Sequence, residues 1–370
     1  MKRTLPLLLA SVLLVGTSSI TASAQNLPWD TLASRIVASL KVQKGERVLL
    51  RFDPKNYGAL EPVVRAQLEA AGAIVESLTY APVPDLAARL DRTDVYIWLP
   101  AGESASTAAA ERTLLARWLD AGKGRQIHFH WNGGTRDVDG LPVAHAPAYD
   151  AVYLDALDID YAALARRQRA AAALLRSGEA RVTTPAGTDL RFRVADRPFN
   201  LQDGDASRER IAEAKVRVDR EVELPAGVLR VAPLESSVQG TLVIPKARFG
   251  TSVVTRARLE IKDGLVVKAT ADEGQAALDA FLASAPGAKH FREFGLGFNP
   301  KLVVPAGQTA LPYYGYGDAV VRLSLGDNEE VGGAVRGGGV RWLFFPDTTV
   351  TVGGTTLVKH GKLADLQSRK

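Results

Sequence analysis

Four short apolar runs in the first half of the chain are each followed by a helical or turn stretch, and this alternation constrains the fold more than any other feature. Residues 48–53 (VLLRFD) read as a buried strand, and residues 59–71 as a helix stopped by Gly72, a suitable C-cap. Residues 73–80 form a second strand, 85–90 a short helix, and 94–99 (DVYIWL) a third strand. A helix over 105–121 closes on Gly122, and 126–131 (QIHFHW) is the fourth strand. Strands that alternate with helices need crossover connections, which predict a doubly wound parallel sheet.

The second half changes character. A long Ala- and Arg-rich helix over 158–177 ends at Gly178, and residues 180–195 (ARVTTPAGTDLRFRVA) read as a hairpin around a Pro-Ala-Gly-Thr turn. Gly227, Gly240, Gly250 and the Lys262-Asp263-Gly264 turn then punctuate short strands. Residues 272–284 form one amphipathic helix, and 319–363 return to strand, with Gly353-Gly354 as a hairpin turn. The expected fold is therefore α/β. A Rossmann-like, doubly wound parallel-sheet domain over 25–178 precedes a strand-rich α+β, barrel-like domain over 179–370.

The first 24 residues stand apart from both domains. Lys2 and Arg3 precede an apolar run over 5–15, and Ala22-Ser23-Ala24 supplies an A-x-A cleavage site. This pattern predicts a secretory signal peptide, a mature chain starting at Gln25 and a periplasmic or secreted protein; the competing reading is an uncleaved anchor. The run is shorter than the roughly 20 apolar residues of a spanning helix, so no membrane insertion is expected after cleavage. The chain has no cysteine, so an exported form folds without disulfides. Removing Lys2 and Arg3 leaves 44 Lys plus Arg against 41 acids, a mature net charge of +3. That balance is too even to predict a nucleic-acid partner.

In a doubly wound sheet, ligands sit beyond the carboxyl ends of the strands. Asp53 with Asn56, the turn at 100–103 and the stretch at 130–136 (HWNGGTR) fall there. No G-x-G-x-x-G opens the first helix, so a dinucleotide site has no direct support. His128 and His130 share one face of a strand because side chains alternate with period two. With His145 or Asp137 folded over them they would form a metal site; otherwise they are hydrogen-bonded rings at a sheet end. The run Tyr313-Tyr314-Gly315-Tyr316-Gly317-Asp318 offers stacking rings and hydroxyls suited to a sugar, aromatic ring or peptide, or else a rigid packed loop.

Four stretches carry a family resemblance: ELPAGVLRVAPLESSVQGT from Glu223, FREFGLGFNP from Phe291, VRLSLGDNEEVGG from Val321, and VRWLFFPDTTVTVGGTTLV from Val340. They resemble the C-terminal domain of the aminopeptidase T family of metallo-exopeptidases and its relatives, the ring-cleaving dihydroxypyridine dioxygenases. The resemblance runs from about Gly45 onward and is strongest over 181–358. It implies two divalent metals, or a single iron in the dioxygenase branch, held by carboxylates and imidazoles that polarise a substrate and activate water. It also implies a homodimer.

The family's ligand positions fall on Val228, Glu293, Arg322, and Arg341 with Leu343. Only Glu293 retains a ligand type, and it is the candidate catalytic residue. Guanidinium groups stay protonated and do not ligate metals, and valine has no donor atom. No resident metal is therefore expected. Arg322 and Arg341 are expected to lie close together beside Glu293, as a structural ion-pair cluster or as a grip on a carboxylate or phosphate. Tyr313, Tyr314, Tyr316, Asp318 and Asp327 complete the candidate ligand-binding set. The leading expectation is a non-metal small-molecule or peptide-binding protein, with a cleft where the two domains meet. The alternative is an active metal-dependent aminopeptidase or related enzyme using zinc, cobalt or iron, with ligands drawn from His128, His130, Asp318, Asp327 and Glu293.

Overall fold

The structure is a computed structural model, and it describes residues 27–79, 86–100, 109–129, 131, 134–144 and 146–365. The expected signal peptide, the Gln25 start, residues 101–103, His130 and His145 lie outside the described residues.

The strands, in chain order, are β1 (Arg47–Phe52), β2 (Ile74–Thr79), β3 (Val95–Leu99), β4 (Arg125–Phe129), β5 (Ala180–Thr183), β6 (Asp189–Phe192), β7 (Asn200–Leu201), β8 (Glu221–Leu224) and β9 (Val228–Val231). They continue as β10 (Gln239–Phe249), β11 (Ser252–Lys262), β12 (Leu265–Thr270), β13 (Phe291–Gly297), β14 (Val321–Leu325), β15 (Arg341–Phe345), β16 (Thr349–Val352), β17 (Thr355–Lys359) and β18 (Lys362–Leu363).

The first sheet is parallel, in the order β2-β1-β3-β4-β8. Its central strand β3 (VYIWL) is largely apolar on both faces, as a crossover sheet favours, while β1 and β4 carry Arg51 and His128 among their apolar residues. Its fifth strand, β8, comes from beyond residue 178, so the two halves of the chain share a sheet. Two helices that the sequence pattern did not mark, Trp29–Leu40 and Ala148–Leu157, pack on this unit. The long Arg-rich helix is present as Tyr161–Arg176, with the Asp160 side chain accepting the Ala163 N–H as its N-cap.

The strand-rich half forms two antiparallel sheets. One has eight strands, β12-β11-β10-β6-β5-β16-β17-β18, and includes the expected 180–195 hairpin and the Gly353-Gly354 turn. The other has five, β15-β14-β13-β9-β7. Phe294 on β13 meets Phe192 on β6 with ring centres 5.3 Å apart, so the two antiparallel sheets pack face to face there. One apolar cluster runs through both halves, from Val48 and Ile127 to Leu296 and Leu323.

Candidate functional site

The five-stranded sheet has two unlike faces, and the strand register sets which residues share each. Residues paired across antiparallel strands point to the same face. Arg230 pairs Gly295, Gly295 pairs Arg322, and Arg322 pairs Phe344. One row along, Glu293 pairs Ser324, and Ser324 pairs Trp342. Arg230, Glu293, Arg322 and Trp342 thus stand on one face, opposite the Phe294 face that packs on the eight-stranded sheet. Gly295 leaves room between the two arginines, since a Cβ there would lie 3.4 Å from Arg322 Nε. A bulge between Phe291 and Glu293 releases Arg292 from the pairing.

The charges on this face form a compact network. Glu293 is fully buried, and its Oε2 accepts hydrogen bonds from Arg230 Nε and Nη2 at 3.2 and 3.0 Å. Arg230 Nη2 also reaches Glu330 at 2.9 Å, and Arg292 pairs with Glu330 as well. Arg322 Nη2 lies 3.0 Å from Glu293 Oε1, close enough for an ion pair, yet neither atom is aligned for a hydrogen bond. Burial by itself would raise the Glu293 pKa, but Arg230, Arg322 and Arg292 outweigh it and hold the carboxyl well below its usual range. Glu330 is governed the same way: burial opposes ionisation, Arg292 and Arg230 overcome it, and its value falls to about 2. Three guanidinium groups against two carboxylates leave one net positive charge, and Arg322 is the group with the weakest partnership.

The facing wall comes from the parallel sheet. Trp98 pairs His128 and His128 pairs Glu223, so all three share a face. The His128 ring stacks on Trp98 at 4.3 Å, and its Nδ1 lies 3.2 Å from Glu221 Oε1. Burial pushes the Glu223 carboxyl up, with His128 and Arg230 partly offsetting it. The tyrosine run bridges the two walls. Tyr316 donates its hydroxyl to Glu223, and the Arg322 guanidinium lies 5.6 Å from the Tyr316 ring centre. Burial, and then Glu223, push the Tyr316 hydroxyl well above its ordinary value. Tyr313, Tyr314 and Gly315 all have positive φ, a conformation bulky residues adopt only when packing holds it. Here Gly315 is needed, because a Cβ would meet Phe344 at 2.6 Å.

Between the walls lies a cavity of about 170 Å³, lined by His128, Glu223, Arg230, Tyr314, Tyr316, Arg322 and Trp342 among others. An apolar cavity of about 150 Å³ accepts a benzene molecule, so this one suits a ligand of one ring or one small acid. It lies at the junction of the parallel and five-stranded sheets.

Several expected residues are elsewhere. Arg341 does not converge with Arg322. It pairs Leu325, and Leu343 pairs Leu323, so both stand on the opposite face. Its guanidinium donates to the Asp139 carbonyl and lies 5.2 Å from the Phe249 ring centre. Trp342 takes the place expected of it, and β-strand parity is the reason. Asp318 pairs with Arg167 at 2.8 Å, and Asp327 accepts the Glu329 and Gly337 amides in a turn; neither lines the cavity. Tyr313 is buried beneath the cavity, its hydroxyl 3.4 Å from the His128 carbonyl oxygen, while Tyr314 and Tyr316 line it. Val228 is buried and apolar on the Arg230 face.

Sequence reasoning missed Arg230, Arg292, Glu221, Glu223, Glu330 and Trp342. A signal existed for Arg230: it follows Val228 by two, so it shares that residue's face. Glu221 and Glu223 carried none, because their strand joins a sheet built from the other half of the chain. Around Glu293 the donors are guanidinium groups, which repel a cation, so the residues present there do not fit a divalent metal. Among the described residues no group of three or more His, Cys, Asp or Glu side chains is placed to hold one.

Residues 160–307 match the sequence model of the thermophilic metalloprotease family M29. The 2,5-dihydroxypyridine dioxygenase from Pseudomonas putida KT2440 superposes with a TM-score of 0.61 at 16% identity, over 91% of this chain and 96% of that one. AmpT from Thermus thermophilus superposes with a TM-score of 0.55 at 15% identity, over 91% and 99%. At these identities the likeness is one of fold. No curated protein sequence matches the chain.

Proposed function

We propose that this chain, whose residues 160–307 match the M29 sequence model, is an exported member of that family that binds a small anionic ligand without a resident metal. The observation that supports this reading is Arg322. The residue is 2% exposed, and its guanidinium lines the cavity beside Trp342 and Tyr316 and leaves Nε and Nη2 without a hydrogen-bond acceptor. A buried guanidinium short of acceptors is costly, and a carboxylate or phosphate oxygen supplies what it lacks. Tyr314, Tyr316 and Trp342 offer ring surfaces to the body of such a ligand. A free carboxylic acid on one ring, or the carboxylate end of a short peptide, matches both the charge and the volume. Export rests on the N-terminal segment, with the periplasm or the outside medium as destination.

The test is a thermal-shift screen of inorganic phosphate, aromatic carboxylic acids and dipeptides against the wild type and Arg322→Ala. A rise in Tm for an acid, absent for the corresponding amide and absent in the variant, supports the reading. Equal shifts in both proteins overturn it. Stoichiometric zinc, cobalt or iron in protein purified without chelator overturns the metal-free part and restores a metallo-aminopeptidase or dioxygenase reading with relocated ligands.

A further inference from the structure

A second cavity, about 530 Å³, lies away from the Arg322 site. It forms where the turn between β5 and β6, the middle of β10, the end of β15 and the loop around Val138 meet. Its volume is within the range of about 300–1,000 Å³ typical of small-molecule sites. Pro185, Ile244, Pro245, Leu343 and Phe345 supply apolar surface. Its charged lining groups are Asp137, Asp139, Asp347 and Lys246, and Arg341 and Arg248, outside the lining, also act on Asp139.

Asp139 is the telling member. It is 8% exposed, and its Oδ1 is shielded from solvent with no hydrogen-bond partner. Arg341 donates to the Asp139 backbone carbonyl, not to the carboxylate. Asp137, by contrast, is partly satisfied, its Oδ1 accepting the Leu141 N–H at 2.8 Å. Among the described residues no Lys, Arg or His nitrogen lies within ion-pair distance of the Asp139 carboxylate. A buried carboxylate oxygen on an apolar-walled cavity, with no donor supplied by the chain, is matched by a ligand that brings an N–H donor and a positive charge.

We propose that this cavity is a binding site for a small organic amine, its ammonium group on Asp139 and its apolar body against Ile244, Leu343 and Phe345. The inference does not rest on the anion reading of the Arg322 site, and either can fail without the other.

Calorimetric titration of the full chain with benzylamine, and with benzyl alcohol as the neutral analogue, tests it. Benzylamine is expected to bind roughly tenfold or more tightly than the alcohol, the scale of one charge-assisted hydrogen bond. Asp139→Asn should remove that difference, with an unchanged circular-dichroism spectrum as the control for folding. Ala186→Trp, on the exposed turn at the cavity edge, should weaken both ligands without touching Asp139. Equal binding of amine and alcohol, or no binding of either at millimolar concentration, would overturn the proposal. A difference that survives Asp139→Asn would do the same. So would amine binding that appears only in Lys246→Met, since that outcome makes Lys246 the natural partner of the carboxylate.

Discussion

The Arg322 guanidinium lies 5.3 Å from the ring centre of Trp342 on the neighbouring strand, and the pairing of Ser324 with Trp342 is what brings the two together. The same register turns Arg341 to the other face. A shift of one residue in β15 would exchange the two and put a second guanidinium beside Glu293. The site is therefore one arginine over an aromatic floor, with its counter-charges behind it.

That register predicts how three substitutions divide. An acid-induced rise in Tm should vanish in Arg322→Ala and shrink in Trp342→Ala, which loses a cation–π contact of about 0.5–2 kcal/mol. It should persist in Arg341→Ala. Thermal shift at fixed ligand concentration reads all three, and loss of the shift in Arg341→Ala alone would refute the register argument.

The charge balance predicts an asymmetry among the arginines. Arg230→Met removes the only aligned hydrogen bonds to buried Glu293 among the described residues and should destabilise by roughly 3–5 kcal/mol, as breaking a buried ion pair does. Arg322→Met leaves two guanidinium groups against two carboxylates, so its cost should be clearly smaller. Urea denaturation at neutral pH gives both values, and equal losses would contradict this account.

Acid should act through the same network. Glu293 and Glu330 both have folded pKa values below their ordinary 4.5, Glu330 at about 2. A depressed carboxyl contributes stability that is complete above the ordinary value and is lost as pH falls through the folded one. Glu223 acts in the opposite sense: raised by burial, it costs stability as pH rises through its folded value. The urea midpoint should therefore drop on acidification below about 4.5. Glu293→Gln should start lower at pH 7 and show a flatter profile in that range. A variant profile parallel to the wild type would show that Glu293 does not carry the effect.

Metal removal should leave the fold unmoved. Because the groups around Glu293 are guanidinium, elemental analysis is expected to show well under one divalent metal per chain, and EDTA should not lower Tm. A chelator-induced fall, reversed by zinc or iron, would mean that metal ligands lie elsewhere in the chain.

The proposed export makes one chemical prediction. Intact-mass measurement of protein from the envelope fraction should give a chain that begins at Gln25. Recovery of a chain with Met1 in the membrane pellet would favour the uncleaved anchor.

The sequence by itself determined the fold class and most of the elements, though not the helices Trp29–Leu40 and Ala148–Leu157. Glycine stops, apolar runs and period-two alternation are local, and they placed all four early strands, the long helix before Gly178 and the 180–195 hairpin. It also marked Glu293 and Arg322, because each sits in a short stretch whose residue order is distinctive. What the tertiary structure decided was adjacency. Which of Arg341 and Trp342 faces Glu293 depends on a one-residue choice of register, and that choice is fixed by the packing of Leu323, Leu343 and Phe345 on one face of the sheet. Glu221 and Glu223 reach His128 only because β8 crosses from the second half of the chain to pair with β4. No local pattern encodes such a crossing, since its stabilisation comes from burying a strand between partners far away in sequence.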